Sequence, residues 1–316
     1  MHIRPSIRLS ALPRALPLEA RMRVARDAGF EGLEIDVSDG QADRLRKAAD
    51  AAGLAIHSIH TWENYHKPLC SADPAIRDAG IAATLATLEA ARIVGADAML
   101  IVPGVVGADA TYDEVDRRSR DVIRSAILPE AERLGVVLAV ENVWNGFLLS
   151  PYDFVRYVES FDSPHVRLCL DLGNMVFGHP EGWVDIAARC AIQIHAKDHR
   201  HWKDEGRYRT LLVGDGTTDW PKVRAALERA GFAGWAVMAE IEACQSFLPR
   251  TPFFKVRQIA SQSGWNPALR LIETRLSRRM VNDAMRRFRR HVAPEHRSAC
   301  SGPRHSSGPP PDHSPA

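Results

Sequence analysis

No run of 18 apolar residues occurs in this chain, so no segment of it reads as a membrane-spanning helix. The opening stretch, MHIRPSIRLSALPRALPLEARMR, is broken by Arg and Pro before the apolar centre of a secretion signal could form. Charge of one sign is lacking too. With 41 basic against 39 acidic residues the net charge is +2, and no strong field invites nucleic acid or an anionic membrane. Cysteine is sparse and odd in number, at Cys70, Cys169, Cys190, Cys244 and Cys300, with no C-x-x-C pair. That excludes a disulfide scaffold and a thiolate zinc site, and the thiols read as reduced in a soluble cytoplasmic protein.

What is present is a long alternation of strand and helix patterns. With 316 residues and 45% hydrophobic content, one large domain with an appendage is expected. Apolar strand patterns in Ile3–Leu9, GFEGLEIDV, LAIHSIHTW, DAMLIVPG, VVLAVE, VRLCLD, AIQIH and GFAGWAVMAE are separated by helical patterns. The helices Leu18–Ala28, Gln41–Ala52, Ala75–Val94 and Tyr112–Leu134 are each followed by Gly, the usual left-handed C-terminal cap. Ser150–Phe161 opens on Ser-Pro, as a helix start prefers. Eight such units give the α/β class and a closed (β/α)8 TIM barrel over 1–250, followed by a C-terminal helical extension over 251–290 and a disordered tail over 291–316. Arg200–Asp219 is a charged, Gly-containing insertion, and the basic end RRMVNDAMRRFRRHV reads as a solvated helix face. The tail, with SSGPPPDHSP, has too little apolar surface to order itself.

The residues that end the later strands carry the chemistry. VVLAV stops at Glu141, VRLCL at Asp171, AIQI at His195 and WAVMA at Glu240. One acid at a strand end has a blander reading, the cap of the next helix, and a lone His is commonly a hydrogen-bonded core imidazole. Four ligand-type residues in succession differ, because consecutive strands of a closed barrel aim their C-terminal ends at one point. Two Glu, one Asp and one His make a mostly hard-oxygen site with one imidazole, which suits Mn²⁺ and accepts Mg²⁺, Co²⁺ or Zn²⁺. An ion there would polarise a ketose carbonyl, and Glu141 and Glu240 on opposite sides of it could serve as base and acid about an enediolate.

ENVWNGFLLSP, VRLCLDLGN, IQIHAKD, GDGTTDWPKV and GFAGWAVMAE together resemble the xylose isomerase-like superfamily, in particular its ketose and pentulose-phosphate 3-epimerases and hexulose-phosphate isomerases. The resemblance covers roughly residues 1 to 242 and implies metal ligation by Glu141, Asp171, His195 and Glu240, with proton transfer by the two Glu. Free-ketose 3-epimerases carry a further Glu, His and Arg where this chain has Phe147, Asn174 and His201, with Arg200 adjacent. Glu242, on the same strand face as Glu240, is a rival eighth-strand ligand. Substrate contacts are expected from His60, Lys197, Arg200, Trp144 and Asn174, and Trp62, Trp144 and Phe147 could wall a sugar. Glu34, at the end of the second strand, could orient a ligand or cap a helix. Gly214–Gly216 reads as a turn.

The expected function is a metal-dependent sugar or sugar-phosphate isomerase or epimerase. A lyase is the alternative, since the same enediolate can expel a β-leaving group from an inosose or 3-keto-glycoside. An abasic-site endonuclease would need further His and acid ligands and a basic groove, and a binding protein with a dead site would have lost a ligand. The partners expected are a small-molecule sugar or sugar phosphate, with no nucleic acid and no membrane, in a homodimer or homotetramer.

Overall fold

A computed structural model describes residues 2–12, 16–36, 41–108, 110–175, 179–202, 207–238, 278–279 and 281–293. Eight parallel strands close into a barrel: β1 (His2–Arg8), β2 (Gly32–Asp36), β3 (Ala55–His60), β4 (Ala98–Ile101), β5 (Val137–Glu141), β6 (Val166–Asp171), β7 (Ala191–His195) and β10 (Ala233–Met238). They pair in chain order, and β10 returns to β1 with His2 opposite Ala233 and Ile7 opposite Met238. Around them run α1 (Leu18–Ala28), α2 (Ala42–Ala52), the single turn α3 (Glu63–His66), α4 (Pro74–Val94), α5 (Tyr112–Val122), α6 (Leu128–Leu134), α7 (Pro151–Glu159), α8 (Pro180–Ala187) and α9 (Trp220–Arg229). The (β/α)8 architecture is therefore as the alternation requires. Among the described residues no helix is long and apolar enough to cross a membrane.

Local chemistry sets the helix ends. Asp73 accepts the Ala75 N–H at 2.8 Å with Pro74 behind it, Thr111 and Glu114 form a reciprocal capping box, and Ser150 accepts the Asp153 N–H at 3.1 Å. The helix expected over Tyr112–Leu134 is interrupted by a π-turn over Ile123–Ile127. Pro129, at the start of α6, has no N–H to give the preceding turn, and the wider turn absorbs the missing bond. The charged insertion holds a two-stranded antiparallel ribbon, β8 (Asp198–Trp202) with β9 (Arg207–Leu211), which the sequence reading left without strands.

Apolar residues fill two spaces. The larger core lies between barrel and helices, and a smaller one, with Ala98, Leu100, Ala139 and Cys169, plugs the barrel interior. Residues 281–293 bury Val281, Ala284, Met285, Phe288 and Val292 in the larger core while Arg287 pairs with Asp283 and Asp215. The basic helix is thus solvated on one face only. Of the extension expected over 251–290, residues 251–277 and 280 lie outside the described residues. Of the tail expected over 291–316, the first residues instead continue the helix, Val292 being buried against the core, and 294–316 lie outside the described residues.

Two irregularities bear on the site. Leu33 pairs with Ile56 but Glu34 with Ser58, so His57 is an extra residue on β3; likewise Leu168 pairs with Ala191 but Cys169 with Gln193, leaving Ile192 over on β7. Bulges of this kind re-aim side chains near a barrel rim. Here they keep Glu34, Ser58, Cys169 and Gln193 on the inward face.

Candidate active site

Parallel register brings the strand ends together. Glu141 pairs with Cys169 and Asp171 with His195, so the inward-facing residues of β5, β6 and β7 meet above the apolar plug. Nδ1 of His195 lies 3.0 Å from Glu141 Oε1 and 3.3 Å from Asp171 Oδ2. His195 and Asp171 are fully buried, and Glu141 keeps 12% side-chain exposure toward a cavity. Glu240 and its rival Glu242 lie outside the described residues.

The loop after β6 holds Asp171 firmly. Its Oδ1 accepts the Gly173 and Asn174 N–H groups at 2.9 and 3.1 Å, which leaves Oδ2 to face His195 and the Lys197 ammonium at 2.6 Å. Asn142, next to Glu141, accepts the Asp171 N–H at 2.7 Å and donates to its carbonyl at 2.9 Å, bolting β5 to β6. Gly173 permits the approach of Lys197, since a Cβ there would fall 2.5 Å from the Lys197 Cβ.

Electrostatics follow from burial. Desolvation works against an Asp171 carboxylate, but Lys197 and His195 outweigh it and hold the group below its ordinary range. Burial also opposes a charge on His195, yet Cys169, Glu34, Glu141 and Asp171 around the ring raise its pKa well above the usual value. Glu34 is held low, burial notwithstanding, by His195 and by Arg8, whose Nε donates to it at 2.8 Å. Among the described residues three acids, Glu34, Glu141 and Asp171, therefore surround His195 together with the two fixed cations Arg8 and Lys197, and the charges balance only while the His195 ring keeps its extra proton.

A ring nitrogen shared by two carboxylates is a place where a divalent cation could replace that proton. The residues present fit such an ion. A competing set replaces Asp171 by Cys169, whose ligand atom and those of Glu141 and His195 all lie within 4.8 Å of one another. Burial pushes that thiol up to about 11 although it accepts from Gln193 Nε2 at 3.3 Å, so without an ion it is a neutral thiol, and Cys169 or Asp171 could each serve as the third donor.

A cavity of about 220 Å³ opens beside Glu141 and is lined among others by Arg8, His60, Trp62, Tyr65, Trp144 and Lys197. Its size suits a small molecule rather than a drug-sized ligand, for which about 300–1,000 Å³ is usual. Asn174 also lines it, and its carbonyl takes the Trp144 indole N–H at 2.8 Å, so these two form one wall. His60 faces Asp36 across the rim. Tyr65 is kept a neutral phenol because burial raises its pKa above the ordinary range.

Two residues expected at the substrate lie elsewhere. Arg200 is exposed and donates to the Asp215 carbonyl at 3.2 Å, because the ribbon after β7 carries it away from the mouth. Phe147 is 1% exposed and packs on Tyr112 and Tyr157, turned into the helix layer by the loop in which Leu148 adopts φ 53°. Conversely Arg8, Tyr65, Cys169 and Gln193 at the site were not singled out from sequence. A signal existed for two of them: polar residues recur at every second position in HIRPSIR, ending on Arg8, and Gln193 precedes His195 by two.

Residues 22–264 match the family described as xylose isomerase-like TIM barrel. A 3-oxo-isoapionate decarboxylase of Pectobacterium atrosepticum is 29% identical over 117 residues, 35% of this chain, which spans only 41% of that curated relative's length. Among solved structures, D-psicose 3-epimerase in the presence of D-fructose superimposes with a TM-score of 0.68 at 17% identity, covering 92% of this chain and 100% of that one. The IOLI protein with a zinc atom gives 0.66 at 15% identity over 92% and 100%. At these identities the likeness is one of fold.

Proposed function

Because the chain belongs to the xylose isomerase-like TIM-barrel family, we propose that it is a divalent-metal-dependent sugar or sugar-phosphate isomerase or epimerase, working next to a ketose carbonyl. The observation that carries this reading is the meeting of Glu141 and Asp171 at the Nδ1 of His195, beside a small polar cavity. Glu141, Asp171 and His195 would hold the ion, with Glu240, two positions past the last barrel strand in sequence, as the expected fourth ligand. Bound there, a divalent ion, Mn²⁺ foremost with Mg²⁺, Co²⁺ or Zn²⁺ also suited to the donors, would supply Lewis acidity at the carbonyl oxygen.

The chain's own groups do the rest. Glu141, the site acid with access to the cavity, takes the proton from the carbon next to the carbonyl, and the return of one is assigned to Glu240. Lys197 holds a substrate oxygen or phosphate while keeping Asp171 ionised. Arg8 and His60 offer further donors from the far wall, and Trp144 and Trp62 shelter the ring. Epimer formation follows when the two protons travel on opposite faces.

A lyase is the second reading, supported by the partial match to a decarboxylase and by two cations, Arg8 and Lys197, that could grip a substrate carboxylate. One experiment separates the readings. Chelated protein reloaded with Mn²⁺ is incubated in D₂O with ketoses, ketose phosphates, inososes, 3-keto-glycosides and 3-oxo acids, and products are read by mass spectrometry. A product of unchanged composition carrying deuterium at the carbon next to the carbonyl, slowed roughly 10²–10⁴-fold in a Glu141→Gln protein that keeps its ion, is the expected result. Loss of water or carbon dioxide would favour the lyase. Isomerisation without deuterium would replace the two-carboxylate route by a hydride shift, and full activity without metal would sink both.

A further inference from the structure

Glu34 is fully buried, and both of its oxygens are engaged by side chains from other strands. Oε1 accepts from Arg8 Nε at 2.8 Å and Nη2 at 2.5 Å. Oε2 accepts from Gln193 Nε2 at 3.0 Å, lies 3.5 Å from Ser58 Oγ and faces His195 Nε2 at 3.0 Å. An ionised carboxylate at such depth costs several kcal/mol unless it is paired. The forked contact from Arg8 provides that pairing, so the group stands as an anion with its second oxygen turned to the ring of His195.

A carboxylate only accepts hydrogen bonds, so Nε2 of His195 must carry the proton it receives. The other ring nitrogen, Nδ1, is the one at 3.0 Å from Glu141 and 3.3 Å from Asp171. A ring that binds a metal needs a lone pair on the metal side, and the tautomer is set by what the far nitrogen donates to. We infer that Glu34, clamped by Arg8, is the positioning residue that fixes His195 as a metal ligand through Nδ1. This rests on the metal-site reading above and adds a residue to it, one that touches neither substrate nor ion.

Glu34→Gln makes the inference testable, because the carboxamide is nearly the same shape and Arg8 decides how it lies. The two N–H groups of Arg8 draw the amide oxygen, which turns the amide N–H₂ toward His195 Nε2. That nitrogen must then accept, the proton moves to Nδ1, and the lone pair is lost from the metal side. Titration calorimetry of metal-free protein with Mn²⁺ should show affinity falling about 10–100-fold in Glu34→Gln. In the double variant Arg8→Met, Glu34→Gln the amide is free to turn its oxygen to His195, and affinity should recover in part. A purely structural role would make the double variant worse than the single.

Affinity in Glu34→Gln within about threefold of the parent, or a double variant no better than the single, would overturn the inference. Should either variant fail to fold, the parent decides alone. Loaded with ¹¹³Cd²⁺ and ¹⁵N-histidine, it should show metal coupling to Nδ1 of His195 with Nε2 protonated, and coupling to Nε2 would be fatal. A parent that takes up no divalent ion would bring down the metal reading as well. A parent that binds the ion, and a variant that binds it equally, would bring down this inference only.

Discussion

His57 should make the fold acid-sensitive by a calculable amount. The ring is 1% exposed, stacks on Trp235 with centroids 4.4 Å apart, and pairs its Nε2 with Ser6 Oγ at 2.7 Å, while Nδ1 has no partner among the described residues. Burial therefore lowers its pKa to about 3, with His195 and Arg4 adding to the effect and Glu34 opposing it. In the unfolded chain the value is about 6.5. The folded value is the lower one, so this contribution is complete above pH 6.5 and is lost as pH falls toward 3, where the slope flattens. One proton of difference is worth about 1.4 kcal/mol per pH unit, or about 2–3 kcal/mol between pH 7.5 and 4.5. That is a large part of the roughly 5–15 kcal/mol that folded domains possess. His57→Phe keeps the stack and cannot take a proton; the unpaired Ser6 hydroxyl costs about 1 kcal/mol at every pH and drops out of the slope. Urea unfolding of metal-free protein at the two pH values should show the parent losing about 2–3 kcal/mol more than the variant. Equal losses in both would refute a neutral, desolvated His57.

Two further outcomes follow from close approaches in the barrel. A Cβ at Gly32 would lie 2.5 Å from Cζ3 of Trp235 and 3.1 Å from Cδ2 of His57, so Gly32→Ala should cost about 1–3 kcal/mol by urea unfolding; an unchanged midpoint would mean that the stack yields freely. Lys197→Met removes the ammonium 2.6 Å from Asp171 without touching the other ligands. Steady-state kinetics should show KM raised about tenfold or more, the order of one charged hydrogen bond, with metal affinity by calorimetry no weaker than the parent's. Unchanged KM with weakened metal binding would make Lys197 a support of the ion rather than of the substrate.

The succession of strands and helices is a local property, and local signals reported it. Leucine, isoleucine and valine recur at helical or strand period, and Gly29, Gly53, Gly95 and Gly135 end their helices with φ between 66° and 98°. Where local signals conflict or are weak, the reading stopped short. Pro129 inside an apolar period produced a π-turn, and the charged Asp198–Trp202 and Arg207–Leu211 carry too little apolar alternation to announce a ribbon. Ligand-type residues at the strand ends were equally visible, because a polar residue that stops a buried apolar run is conspicuous. What those residues touch was not visible. Glu34 and His195 lie 161 positions apart and meet through Oε2 and Nε2 only once the barrel closes, and Arg8 reaches Glu34 only through the pairing of β1 with β2. Sequence alone therefore determined the order of elements and the chemical types that end them. Tertiary structure decided which nitrogen of His195 faces Glu141 and Asp171, and sent Phe147 to the core and Arg200 to the ribbon. Period and capping depend on neighbours along the chain, whereas these contacts depend on register and bulges summed around a closed sheet.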